Sequence, residues 1–269
     1  MLPTIARVAI NVFKESVRDK VLYNLVAFAV LLIAASYLIG QLTAGQDVKI
    51  IKDLGLAAIA TFGLMIAIFI GIGLVWKEVE RRSIYSILSK PVSRAQFVVG
   101  KYFGLVLTLA VNIGVMTVAW YVVLAYMATT VGEGTRAVWA APAADPVMLK
   151  AILLIFVELM LVTALALFFS TFSSPFLSAG LTIGLWVVGH FNADLRNFQT
   201  VVDSRAAAWL ARGLYYVLPN FGSFDVKYQV VHALPVPASY MVSTAVYGAV
   251  YIALLLAAAV AVFSRRDFK

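Results

Sequence analysis

Trp76-Lys77-Glu78-Val79-Glu80-Arg81-Arg82-Ser83-Ile84-Tyr85-Ser86-Ile87-Leu88-Ser89-Lys90-Pro91-Val92-Ser93-Arg94 is a long, densely charged interval flanked on both sides by apolar runs of membrane length. Pro91 disfavours helix at the residue before it. Ser93-Arg94-Ala95-Gln96 is a capping-box pattern that starts a new helix at Arg94. The interval therefore reads as a helix over 77–89, a turn over 90–93 and a second helix over 94–127 that enters the membrane. On a helical wheel Trp76, Val79, Ile84, Ile87 and Leu88 fall within about half the circumference, with Glu80 and Ser83 inside that arc. An apolar arc that holds a carboxylate packs against protein as readily as against lipid, and periodicity leaves both open.

Composition sets the solvent. The 269 residues are 63% hydrophobic and only 13% charged, whereas a soluble domain carries about 25% charged residues. So few polar side chains cannot cover a water-facing surface, so most of the surroundings are lipid. The net charge of +8 is spread between apolar spans rather than gathered on a polar domain. It fits membrane topology and anionic lipid heads, not nucleic acid. With no cysteine there is no disulfide framework and no thiolate metal site.

A span needs about 20 apolar residues to cross ~30 Å of hydrocarbon. Such runs occupy Leu22–Leu42, Gly55–Trp76, Tyr102–Met127, Met148–Phe169 and Ala238–Phe263, and a shorter one occupies Phe176–Phe191. The fold class is an all-α integral membrane protein with six transmembrane helices (22–42, 55–76, 94–127, 148–169, 176–191 and 238–263) in one domain over 1–269. Residues 1–20 form an amphipathic helix in the headgroup plane, with Arg7, Asn11, Lys14 and Arg18 on one narrow face. With both termini inside, the inner side holds thirteen of the 21 Lys and Arg, which favours N-in, C-in. Asp145-Pro146 reads as an N-cap and first helical proline before the fourth span. Because the fifth run is short, part of the outer segment 192–237 is expected to dip back into the bilayer, with a turn at Leu218-Pro219-Asn220.

Few residues can carry chemistry. Gly100-Lys101 lacks the upstream glycine and the following Ser/Thr of a phosphate-binding loop. Glu158 stands alone in an apolar run, where an ionised side chain costs roughly 2.5–3.5 kcal/mol on insertion scales. It must face protein or water, as a substrate contact, a proton site or an interhelical hydrogen bond. Asn112 is a possible partner. Gly180 and Gly184 form a small-xxx-small pair suited to close helix packing or a dimer contact. His190, Asp194 and His232, without cysteine or clustered methionine, make a poor metal site, and no metal is expected.

The charged interval also resembles the signature of ABC-2 type permeases: an acidic pair, a short helix ending in leucine, Pro-x-Ser-Arg and a later Gly-Lys. Glu78, Glu80, Leu88, Pro91, Ser93, Arg94, Gly100 and Lys101 carry the match. It looks most like the branch that includes the permeases of nitrous-oxide-reductase maturation and gliding-motility systems. Phe169-Ser170-Thr171 and the outer Leu218-Pro219-Asn220 extend the likeness along the chain. The resemblance implies a type V exporter-like permease in a bacterial-type inner membrane. It would pair with a second permease copy and bind ATP-binding cassette ATPase subunits. ATP and Mg would sit on those partners, and this chain would bind no cofactor and be no enzyme. The 77–89 helix would be the coupling helix, with Glu78, Glu80, Arg81, Arg82, Ser83, Ile84, Leu88, Pro91 and Arg94 at the docking surface. The competing expectation is a stand-alone secondary transporter or channel that uses Glu158 as an ion or proton site. Inverted repeats would favour it, and none is visible in the sequence.

Overall fold

The computed structural model describes residues 2–42, 47–80, 93–137, 139–192, 209, 212–213 and 215–265, with backbone alone at 2, 47 and 74–80. Its helices, in chain order, are α1 (Leu2–Ser16), α2 (Lys20–Gln41), α3 (Asp47–Glu80), α4 (Arg94–Thr130), α5 (Glu133–Arg136), α6 (Met148–Ser170), α7 (Pro175–His190), a 3-10 turn (Phe221–Phe224), α8 (Lys227–Val231) and α9 (Ala238–Arg265). By length and composition five helices can cross a membrane: α2, α3, α4, α6 and α9. α7 is apolar but has 16 residues, which rise only about 24 Å.

α6 is the axis of the bundle. Leu154, Leu161, Val162, Ala164 and Ala166 are inaccessible, and burial continues around the helix. α2 and α9 are peripheral and turn large apolar side chains outward, among them Phe28, Leu31 and Leu38 on α2 and Val242, Val246 and Leu254 on α9. Apolar residues on all sides of a helix are stable where protein, lipid or the two together cover them.

Both ends of α3 and the start of α6 differ from the sequence expectation. α3 begins at Asp47 rather than Gly55 and continues past Trp76 to Glu80. Lys52 interrupts the apolar run in the sequence, but in the fold it is 1% exposed and donates to the Pro142 carbonyl at 2.8 Å. A buried ammonium with a partner does not end a helix. At its other end α3 takes in the backbone of residues 77–80, which do not open a separate helix, and residues 81–92 lie outside the described residues. At the start of α6, Asp145 does accept a hydrogen bond, from the Val147 N–H at 2.9 Å. Regular helix begins only at Met148, because the Met148 and Leu149 N–H groups bond carbonyls three residues back, at Asp145 and Pro146.

The two ends of the bundle are tied differently. At one end α1 lies along the first turns of α4. A Cβ at Gly100 would stand 2.7 Å from Val8, and one at Gly104 would stand 2.6 Å from the Ala9 carbonyl. Arg7, Asn11, Lys14 and Arg18 are on or near the free side of α1. The close of α9 joins this end, with Phe263 stacked on Phe97 at 5.8 Å. The opposite end is held by polar side chains on carbonyls. Trp120 donates to Ile51 at 3.2 Å, Tyr121 to Asp145 at 3.0 Å and Lys150 to Val236 at 2.9 Å.

Candidate functional site

The start of α4 is built as the capping box in the sequence predicts. The Ser93 side chain accepts from the Gln96 N–H, and the Gln96 side chain accepts from the Ser93 N–H at 3.0 Å. That start fixes Arg94, whose Nη1 donates to the carbonyls of Phe263 at 3.1 Å and Ser264 at 2.7 Å. The last carbonyls of a helix have no partner inside it and carry partial negative charge, so a guanidinium there satisfies both needs. Arg94, expected on the docking surface, thus has work inside the chain: it pins the end of α9 to the first turn after the charged interval. Lys101, about two turns deeper, is 1% exposed, and its Nζ lies 4.9 Å from the centre of the Phe97 ring.

The other expected docking residues divide into two groups. Glu78 and Glu80 are described by backbone only, as the last turn of α3. Arg81, Arg82, Ser83, Ile84, Leu88 and Pro91 lie outside the described residues. The interval is nevertheless bracketed by described structure. α3 delivers the chain to it, and α4 leaves it beside α1 and the end of α9, so the basic N-terminal helix and the C-terminal helix end gather where the interval ends.

The second candidate is Glu158, 7% exposed at the middle of α6. Its Oε1 accepts a hydrogen bond from Trp186 Nε1 at 2.8 Å and lies 3.7 Å from His190 Nε2. His190 Nδ1 is 3.1 Å from the Trp186 carbonyl, which can only accept, so Nδ1 carries a proton. The Trp186 and His190 rings are 4.4 Å apart, and His190 stacks on Phe221 at 5.9 Å and 11°. The expected partner is therefore replaced: the Asn112 amide donates to the Thr108 carbonyl of its own helix at 2.7 Å. The pairing that forms joins residues 28 apart. Because α7 climbs beside α6 from the Ser173–Ser174 turn, its short length brings its last turn level with Glu158 rather than beyond it.

Above that level the 218–224 segment closes over the cluster. Phe221 and Phe224 are fully buried, and the Pro219 carbonyl would stand 2.6 Å from a Cβ at Gly189. The Asn220 N–H donates to the Tyr247 hydroxyl at 2.8 Å, and Asn192 donates to the Leu218 carbonyl at 3.1 Å. Gly180 and Gly184, by contrast, meet nothing within 4 Å among the described residues and face outward from α7. The sequence reading overlooked the pair that is packed, Gly100 and Gly104. Its signal was present, since Gly100-x-x-x-Gly104 lies beside the apolar face of an amphipathic helix.

No curated protein matches the chain. A family model does, over residues 6–268, under the description ABC-2 family transporter protein. The match spans the bundle from the first helix to the last, and the chain, a multi-pass membrane permease without an ATP-hydrolysing domain, belongs to the ABC-2 transporter family.

Proposed function

We propose that this chain is the membrane-spanning half of an exporter whose ATP is hydrolysed by a separate ATP-binding cassette subunit. The observation that carries it is the family match over residues 6–268. The packing of α1 and the end of α9 on the start of α4, where the charged interval ends, supports the reading. In this reading the interval 77–94 is the handle on the cytoplasmic side, both termini are inside, α7 makes the sixth crossing, and part of the outer 192–237 segment dips back into the bilayer. The acidic pair and the Pro-x-Ser-Arg run support a place in the nitrous-oxide-reductase maturation and gliding-motility branch.

Closure of two ATP-loaded partners would draw two docked intervals together and favour an outward-open arrangement, and hydrolysis would reset it. A ligand shifts such an equilibrium only by its differential affinity for the two states, so the docking contacts must change between them. Glu78, Glu80, Arg81 and Arg82 suit this, since charge pairs change steeply with distance. The open face of α7 with Gly180 and Gly184 serves a second permease copy. Glu158 serves as the interhelical tie that holds α7 and the 218–224 segment to α6. The test is capture of the tagged chain from membranes followed by assay of ATP hydrolysis. An ATPase subunit should copurify, and vesicle transport should stop without it. Transport that persists with no ATPase present would overturn the proposal in favour of a carrier driven through Glu158.

A further inference from the structure

Between the 218–224 segment and the first turns of α9 lies a cavity of about 410 Å³. Its described lining contains no charged residue. Tyr215, Tyr247, Tyr251, Asn192, Asn220 and Thr244 give it aromatic faces, hydroxyls and amides instead. An ion placed there would lose hydration with no counter-charge among the described lining residues to replace it. A group rich in hydroxyls would exchange water for hydroxyl and amide partners nearly one for one, and the C–H face of a sugar ring matches the face of a tyrosine.

The frame is already set. The Tyr247 hydroxyl is held by the Asn220 N–H, and the Asn192 amide by the Leu218 carbonyl. The Thr244 hydroxyl, on a residue only 6% exposed, has no hydrogen-bond partner among the described residues. Further along α9, three residues past Tyr247 and Tyr251, Val250 and Leu254 are exposed and apolar. Neighbours at that spacing share a helix face. A hydrocarbon chain attached to a group in the cavity would run down that face without leaving the protein.

We propose that this cavity binds an uncharged, hydroxyl-rich group of glycoside type, carried either as the head of a glycolipid or as a free sugar. The inference rests on the exporter reading only in treating the cavity as part of the transport path, and it supplies that reading with a substrate class.

The test uses the full chain in nanodiscs, with bound lipid read by native mass spectrometry. The probes are monoglucosyl diacylglycerol, diacylglycerol without the sugar, and phosphatidylglycerol. The glucosyl lipid should be retained about tenfold over plain diacylglycerol, as two or so net hydrogen bonds would give. Tyr251→Phe alone should cut that preference by about fivefold, and Tyr251→Phe with Thr244→Val should erase it, with diacylglycerol retention unchanged. Competition by methyl β-glucoside assigns the site to free sugar, and a glucosyl preference that it leaves intact assigns the site to the lipid. Equal retention of the two neutral lipids, preference for phosphatidylglycerol, or full preference in the folded Tyr251→Phe protein would each overturn the proposal. ATPase capture from the same preparation separates the two ideas. Sugar preference without a captured ATPase sinks the exporter reading alone, and a captured ATPase without sugar preference sinks this site alone.

Discussion

Two glycine pairs of identical spacing meet opposite surroundings. Gly100 and Gly104 on α4 are pressed against the backbone and side chains of α1, whereas Gly180 and Gly184 on α7 face open space. Spacing alone says that another helix can come close. What comes close is decided by the neighbours. The first pair adjoins an amphipathic helix whose apolar side has nowhere else to go, and the second is on a short helix already packed on its other face through Ser178, Thr182 and Gly189. The packed pair holds a basic helix beside the charged interval. The open pair leaves a surface for another molecule.

The comparison breaks most sharply at Gly104. A valine there has to displace the Ala9 carbonyl and Val12, and overpacking of this kind costs about 1–3 kcal/mol. Gly104→Val should fall at the upper end of that range in denaturant titrations in detergent and release α1 to protease. A stability equal to wild type would mean that α1 is not seated there.

Next is the tie that fixes the partly packed helix. Trp186→Phe removes the N–H that Glu158 accepts and strands a buried acceptor, a loss of about 1–3 kcal/mol. The loss should shrink in a Glu158→Leu background, where no acceptor is stranded, and a double-mutant cycle reads the coupling. Additive losses would mean that the two side chains do not interact.

Arg94→Ala should cost less, about 1 kcal/mol, because two carbonyls at the end of α9 lose a donor but can turn to water. Thermal unfolding would show it, with Arg94→Lys recovering part of the loss. Gly184→Leu should change stability by no more than about 0.5 kcal/mol, since nothing touches that position. It should still weaken the permease–permease association proposed for this face, measured by mass photometry. A stable dimer in that variant would move the dimer contact elsewhere.

How much of this was legible follows from the range of each signal. The apolar runs, the Ser93 capping box and the stripe of Arg7, Asn11 and Lys14 are local patterns that the structure contains, although α3 is longer than its run and α1 stops at Ser16, before Arg18. Lys52 misled because a buried, partnered lysine looks like a span boundary until the Pro142 carbonyl, 90 residues away, is brought beside it. Glu158 was recognised as needing a partner, but nothing local points to Trp186. Asn112 looked suitable only because its bond to Thr108 is invisible in a string of letters. The contact of Arg94 with the end of α9 joins residues about 170 positions apart and had no sequence signal.

The measurement that bears most directly on the account is capture of the ATPase subunit by chains reversed in charge at the interval. Glu78→Lys with Glu80→Lys should abolish capture and ATP-dependent transport while the chain remains inserted in the membrane. Arg7→Glu with Lys14→Glu on the outward side of α1, the control, should leave capture in place. Undiminished capture by the Glu78 and Glu80 double variant would contradict the assignment of this interval as the handle of the transporter.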